Sequence, residues 1–523
     1  MRKISYFCGR VQVRFCSHLS RFSSRHEIPP RTQRNAWCLF AAALFLLFSF
    51  ALARFGAAQP ASSSKPIPPA FFGMHINRPN TPWPQVPFGS LRMLGNMTTW
   101  FHLEGSGRGR YDWHNLDVWL NAARAHNVDV MYTFSRTPEW VAANTNAACG
   151  PRRGEADCSS PKDLETNAPC QGPLAGVTTT DCEFKEFATS LMDHVCTGTS
   201  PNKNCRIMAF SCWNEPNLDG FWVGTYAQSA RMCADMVKVV KDQCRSCVTL
   251  TPDISAATSG DTKGNGDSRS YDEWTRNFLL AYKQLGVDYP DAGAFHPYAA
   301  RTWNINPVPF PETFAGSGCP GGGQSAACPD TLLGKIATMR SLLDKGGMAG
   351  KPLWATEGGW GTNGELPDQD VEAAYVARWL ILQASSGVER AYWFMWDNGG
   401  DARGWGGMWD GRNGINKAGV AYGQVYNWLV GATFTKPCSG DHDVWTCDIS
   451  RPGGYQGKIV WNVSNSYSPQ STSKYSIATD FTQERDLNGD KALISEGAVA
   501  IGSKPILLEK PGASSAAPRS QHK

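Results

Sequence analysis

Between residue 71 and about residue 430, short apolar runs alternate with longer stretches whose apolar positions recur every three or four residues. The runs are "FFGMHIN" (71–77), "GSLRMLG" (89–95), "VDVMYTFS" (128–135), "IMAFSCWNE" (207–215), "TLTPDIS" (249–255), "AGAFHPY" (292–298), "PLWATEG" (352–358) and "RAYWFMWD" (390–397). Amphipathic segments such as "DWHNLDVWLNAARAHN", "TYAQSARMCADMVKVVKDQC", "SYDEWTRNFLLAYKQLG" and "QDVEAAYVARWLILQASSG" separate most of them, and "GVAYGQVYNWLVGA" closes the series. The first connection, "RPNTPWPQVPF", holds too much proline for a helix. This alternation predicts an α/β fold, a (β/α)8 TIM barrel over 71–430. An open doubly wound sheet would usually hold fewer strands, and no glycine-rich phosphate loop follows the first run.

The pattern changes at about 431. Residues 431–510 are strand-and-turn text with no long helical segment, which predicts a small C-terminal antiparallel β module, sandwich-like and accessory. Residues 511–523 are a low-complexity tail predicted to be disordered. Within the module, "DLNGDKALISE" spaces Asp486, Asn488 and Asp490 like a calcium loop, but Lys491 occupies the place of the sharp-turn glycine. An Asn-Gly hairpin turn is the expected structure.

The N-terminus is of another kind. Residues 36–53, "AWCLFAAALFLLFSFALA", run for 18 residues without a charge, after a basic stretch (1–35) and before a Pro/Ser/Ala linker (59–70). Residues 36–58 therefore read as an export signal, either a cleaved signal peptide or a signal anchor, and the body as exported: secreted, periplasmic or at the cell surface. Residues 1–54 carry nine Arg or Lys and one acidic residue, so of 50 basic and 46 acidic residues the body keeps 41 and 45. The slightly acidic body presents no basic face for nucleic acid, and a membrane is expected as a partner only through residues 36–53.

Cysteine usage agrees with export. Of 17 cysteines, Cys8, Cys16 and Cys38 lie in the leader, and the 14 of the body form an even, disulfide-like set. Short loops suggest the pairs Cys319–Cys328, Cys438–Cys447 and Cys196–Cys205, whereas spacing leaves Cys149, Cys158, Cys170 and Cys182 unassigned. Cys244 and Cys247 form a CxxC with no second CxxC and no histidine pair, so a disulfide is expected there rather than a redox or zinc site. The 20 tryptophans exceed ordinary use; most are expected as core fillers, some as flat faces for sugars.

Chemistry in such barrels gathers at the C-terminal ends of the strands. Those ends carry Arg92 (second), Asn214 and Glu215 (fourth), His296 and Tyr298 (sixth), Glu357 (seventh), and Trp396 and Asp397 (eighth). Two glutamates facing each other across a barrel mouth are what glycoside hydrolysis requires: one protonates the leaving oxygen, the other attacks the sugar or activates water. Arg92 and Tyr298 can hold Glu357 ionised, as suits a nucleophile, while Glu215 beside a Trp and an Asn suits the acid. Asn214 can bond a sugar hydroxyl, and Trp396 can offer a face to the ring. Trp405 and Trp409, in "RGWGGMWDGRNG", fit loop packing and sugar subsites equally.

WNEPN followed by FW, the strand-seven TEGGW, "TPEW" after strand three, the "HPY" of strand six and the Trp ending strand eight together resemble clan A glycoside hydrolases, most closely family 39 and its relatives. The resemblance covers residues 71–430. It implies a retaining mechanism with Glu215 as acid/base and Glu357 as nucleophile, and Asn214, His296, Tyr298, Arg92 and Trp396 as substrate-binding support. The C-terminal module resembles the accessory sandwich often appended in this clan. The long Cys-rich loop 144–182 and "GSGCPGGGQSAACPD" are not features of the β-xylosidases of that family. The expectation is an exported retaining β-glycosidase acting on a β-linked oligo- or polysaccharide, with no metal or organic cofactor. A transglycosylase with the same residues and a non-catalytic polysaccharide-binding protein are the alternatives.

Overall fold

The computed structural model describes residues 65–511 except 96, 147–156, 257–269, 299–307, 313–330, 362–365, 367, 399–403, 479 and 496. The chain divides into two compact units, 1–59 and 60–523, and every described residue belongs to the second. The leader, Cys149, the expected Cys319–Cys328 pair and the tail beyond 511 thus lie outside the described residues. Among those described, no helix is long and apolar enough to cross a membrane.

Eight parallel strands form the central sheet among the described residues: β1 (Phe72–His75), β2 (Ser90–Met93), β3 (Asp129–Thr133), β4 (Ala209–Ser211), β5, β6 (Gly293–His296), β7 (Leu353–Ala355) and β8 (Arg390–Trp393). β5 comes in two pieces, Val248–Leu250 and Ile254–Ser255, because Pro252 between them has no N–H to give to a ladder. The first piece pairs with β4 and the second with β6, and β8 pairs with β1, so the sheet closes on itself as a barrel. The eight apolar runs therefore became the eight strands, each shorter than its run.

The strands are buried on both faces, which is why they read as continuous apolar text. Inward-facing Met131, Ala209, Leu250, Ala294, Trp354 and Tyr392 fill the barrel as one cluster. Gly73 of β1 faces the Tyr392 ring so closely that a Cβ there would meet it at 2.4 Å, so the glycine makes room for the phenol.

Outside the barrel run α1 (His114–Ala125), α2 (Cys182–Val195), α3 (Tyr226–Gln243), α4 (Tyr271–Gln284), α5 (Leu332–Leu343), α6 (Gln369–Ser385) and α7 (Lys417–Leu429). The caps are local chemistry. Thr225 and Gln228 form a capping box at α3, and the Asp368 carboxylate accepts from the backbone N–H groups of Asp370 and Val371 at α6. Residues 76–89, the Pro-rich first connection, contain no helix. α6 departs from the amphipathic expectation: every residue from Val371 to Ser385 is buried. Its outer face is covered by the C-terminal module, so no solvent-facing stripe was needed.

That module has a six-stranded antiparallel sheet in the order β9-β10-β11-β16-β13-β14, plus a two-stranded pair, β12 and β15. The strands are β9 (Thr433–Asp441), β10 (Val444–Arg451), β11 (Tyr455–Asn462), β12 (Ser473–Ser476), β13 (Gln483–Arg485), β14 (Lys491–Leu493), β15 (Ala498–Ile501) and β16 (Ile506–Lys510). Between β13 and β14, the Asp486 carboxylate accepts from the backbone of Asn488 and Asp490, and Gly489 takes φ +94°. The calcium-like spacing is thus an ordinary hairpin turn. The module is pinned to α6 by Arg378, whose guanidinium is fully buried. It donates to Ser503 O (2.9 Å), Ser466 Oγ (3.0 Å) and Asn462 O (3.2 Å), and pairs with Glu312 (3.1 Å). Glu312 in turn accepts from the Trp461 indole at 2.7 Å.

Five disulfides lie wholly among the described residues: Cys170–Cys182, Cys196–Cys205, Cys212–Cys233, Cys244–Cys247 and Cys438–Cys447. Cys158 is disulfide-bonded as well. The CxxC is a disulfide, as its setting suggested.

Candidate active site

The polar strand ends meet at one mouth of the barrel. Arg92, at the end of β2, is fully buried. Its Nη1 donates to Glu357 Oε2 at 2.6 Å, and its Nη2 donates to Asn214 Oδ1 and Asp253 Oδ2, both at 2.8 Å. The Tyr298 hydroxyl donates to the other Glu357 oxygen at 2.6 Å. Glu357 therefore receives one strong donor on each oxygen, and its carboxyl is held in a fixed orientation.

Glu215 has different company. Its Oε1 lies 2.8 Å from His296 Nδ1, and His296 Nδ1 stands 3.8 Å from Glu357 Oε2. A carboxylate oxygen of Glu215 and one of Glu357 lie within 4.8 Å of each other. Glu215 adopts φ +40°, left-handed backbone that non-glycine residues rarely take. Its motif holds it there. The Asn217 side chain both donates to Ser255 O and accepts from Ser255 N, and the Trp213 indole donates to Phe221 O. Trp213 packs edge-on against Trp222, so the two tryptophans of the motif support the turn.

Burial and charge set the remaining protonation states. Burial first, then the Glu357 charge, pushes the Tyr298 hydroxyl well above its usual range, so it stays a donor. Burial alone would pull Arg92 down, but Asp253 and Glu357 raise it, so the guanidinium keeps its charge. His75, at the end of β1, is lowered to about 3 by burial and then by Arg92 and His296, and is neutral. Lys335 of α5, fully buried, donates to the Tyr298 carbonyl and fixes that residue from below.

Among the residues expected at the site, Arg92, Asn214, Glu215, His296, Tyr298 and Glu357 come together. Asn214 spends its carbonyl oxygen on Arg92, so its amide nitrogen is the end that can donate. Trp396 is 1 % exposed and belongs to the main hydrophobic cluster, with its backbone N–H on His75 O at the end of β1. Half-buried Trp405 is the ring that packs edge-on against Tyr298, centroids 6.2 Å apart. Asp397 is pinned to the loop after β1, accepting from Asn77 N and Thr81 Oγ1. Asp253, buried beneath the pair, was not singled out from the sequence. Its signal was an acidic residue inside the apolar run "TLTPDIS".

Glu215, His296 and Glu357 bring three potential ligand atoms within 4.8 Å of one another. Both oxygens of Glu357 are already bound by Arg92 and Tyr298, and a guanidinium in contact opposes a cation there.

No family model and no curated protein matches the chain. Solved structures do. A family 39 glycoside hydrolase from the gut symbiont Bacteroides cellulosilyticus WH2 is 16% identical, with TM-score 0.57, over 85% of this chain and 81% of that one. A monomeric beta-xylosidase from Caulobacter crescentus CB15 is 15% identical, with TM-score 0.55, over 88% and 99%. An enzyme of glycoside hydrolase family 39 from Xanthomonas axonopodis pv. citri is 14% identical, with TM-score 0.53, over 86% and 96%. The barrel fold is one that family 39 enzymes use. At these identities the likeness is one of fold, and what the site does must be argued from its own geometry.

Proposed function

We propose that the protein is an exported retaining β-glycosidase. The observation that carries this is the pair of carboxylates at one barrel mouth, with oxygens within 4.8 Å of each other and each held by a different set of partners. A separation of roughly 5–5.5 Å suits direct attack on the sugar, whereas inverting enzymes need a wider gap to admit a water between carboxylate and sugar. Glu357, held by Arg92 and Tyr298, attacks the anomeric carbon. Glu215 gives its proton to the departing glycosidic oxygen as the C–O bond breaks. Glu215, now a carboxylate, takes a proton from a water that attacks the glycosyl-enzyme, and Glu357 is released with the anomeric configuration restored.

The similarity of the fold to family 39 enzymes, one of them a beta-xylosidase, supports a β-linked substrate. The eleven described cysteines, all disulfide-bonded, support an oxidising destination and hence export. The test is a panel of aryl β-glycosides and β-linked polysaccharides with the anomeric form of the first product followed by proton NMR. Appearance of the β-anomer first is expected. Initial release of the α-anomer, or no cleavage across the panel, would refute the proposal.

A further inference from the structure

We infer that Asp253 is a positioning residue that sets the alignment and ionisation of both glutamates. The inference rests on the retaining reading above. Asp253 is fully buried in the gap between the two pieces of β5. Its backbone brackets the neighbouring strand end: its N–H bonds Trp213 O and its carbonyl accepts from Glu215 N, both at 2.8 Å. The left-handed turn at Glu215 is therefore fastened to Asp253.

Its carboxylate reaches the other side of the site. Oδ2 accepts from Arg92 Nη2 (2.8 Å) and Thr133 Oγ1 (3.1 Å), and Oδ1 accepts from Ser211 Oγ (2.8 Å) and Thr356 Oγ1 (3.0 Å). Four donors from four strands fix its orientation, more than a buried ion pair needs. The opposite end of Arg92 binds Glu357, and His296 Nε2 faces Asp253 Oδ2 at 4.0 Å while its Nδ1 meets Glu215. One anion thus reaches Glu357 through the hydrogen bonds of Arg92, and lies 4.0 Å from the imidazole that meets Glu215, close enough to act on it by charge without a hydrogen bond.

The charged and titratable groups facing Asp253 are Arg92 from β2, Glu215 from the β4 end, His296 from β6 and Glu357 from the β7 end, with Tyr298 and His75 neutral. Asp253 cancels Arg92. Without it, the unbalanced guanidinium would draw both glutamates toward ionisation at lower pH, leaving Glu357 a weaker nucleophile and Glu215 a reluctant proton holder.

The experiment is the pH dependence of kcat/KM for Asp253→Asn, which keeps shape and removes charge, on an aryl β-glycoside turned over by the wild type. Both limbs are expected to move to lower pH by about one unit or more, because the neighbouring negative charge that disfavours ionisation of both carboxyls is gone. A purely structural role would lower the melting temperature and leave the limbs in place, and a folded variant with unmoved limbs overturns the inference. Should the wild type hydrolyse no glycoside, the function fails separately. Carboxyl carbon NMR titration of Glu215 and Glu357, assigned with Glu215→Gln and Glu357→Gln, then reads the same shift without turnover. Should Asp253→Asn not fold, Ser211→Ala/Thr356→Val, which frees Oδ1 while keeping the charge, decides. Its kcat is expected to fall several-fold at little-changed KM, and unchanged kcat overturns the inference.

Discussion

Glu357 and Glu215 share a mouth but not an environment, and the difference predicts how each responds to amputation. On the proposed mechanism Glu357→Ala removes the nucleophile, so kcat should fall on the order of 10⁴-fold or more on every substrate. Glu215→Ala should cost roughly 10²–10⁴-fold on substrates with poor leaving groups. It should cost far less on activated aryl glycosides, whose phenolate departs without a proton. Azide should accelerate Glu215→Ala and yield a β-glycosyl azide, because it enters the vacated space and needs no base. Rescue of Glu357→Ala by azide, with Glu215→Ala inert, would invert the assignment. Both glutamates were legible as residues because each ends an apolar run with a group a strand end does not otherwise favour. Asp253 was not, because it lies inside its run.

The elements were legible to differing degrees, for physical reasons. Parallel strands buried on both faces leave unbroken apolar text, and all eight could be counted. The interruption of β5 at Pro252 and the coverage of α6 depend on neighbours distant in sequence. Cys212–Cys233 was equally hidden, because one cysteine ends a strand and the other sits on a helix 21 residues later. Thiol titration of the denatured, unreduced protein should find few free thiols in the body, whereas a majority free would contradict export. The start of α2 offers a pH test. Asp181, its N-cap at φ +56°, is fully buried, and burial, then Asp235 and Asp163, pushes its carboxyl well above the usual range. A raised folded-state value stabilises the fold fully at pH below the ordinary aspartate range, and that stabilisation is lost as pH rises through the raised value. Asp181→Asn, which tolerates the left-handed backbone, should therefore raise the melting temperature relative to wild type at pH 8 and change it little near pH 4. An equal effect at both would mean that the carboxyl titrates normally.

At the scale of the molecule, the C-terminal module is joined to the barrel by chemistry that does not tolerate separation. Arg378→Ala would leave Glu312 buried without its cation and three module acceptors without a donor, a loss of roughly 3–5 kcal/mol. Replacing both members, Arg378→Met with Glu312→Gln, should destabilise less than Arg378→Ala, and denaturant midpoints of the two variants check this. The module also grips the segment that follows β6: the Tyr467 hydroxyl donates to Val308 O, and Trp461 holds Glu312. The sequence placed a change of texture at residue 431, and composition marks such a boundary well. It does not report what crosses it. For anyone preparing a minimal enzyme, the natural scissor line at residue 431 is the wrong one. A chain ended there would expose the largely apolar flank of α6 and the Arg378 guanidinium meant for the interior, and should emerge as aggregate. The shortest version worth expressing runs through Lys510, and the module cannot be exchanged like a cartridge for another binding domain.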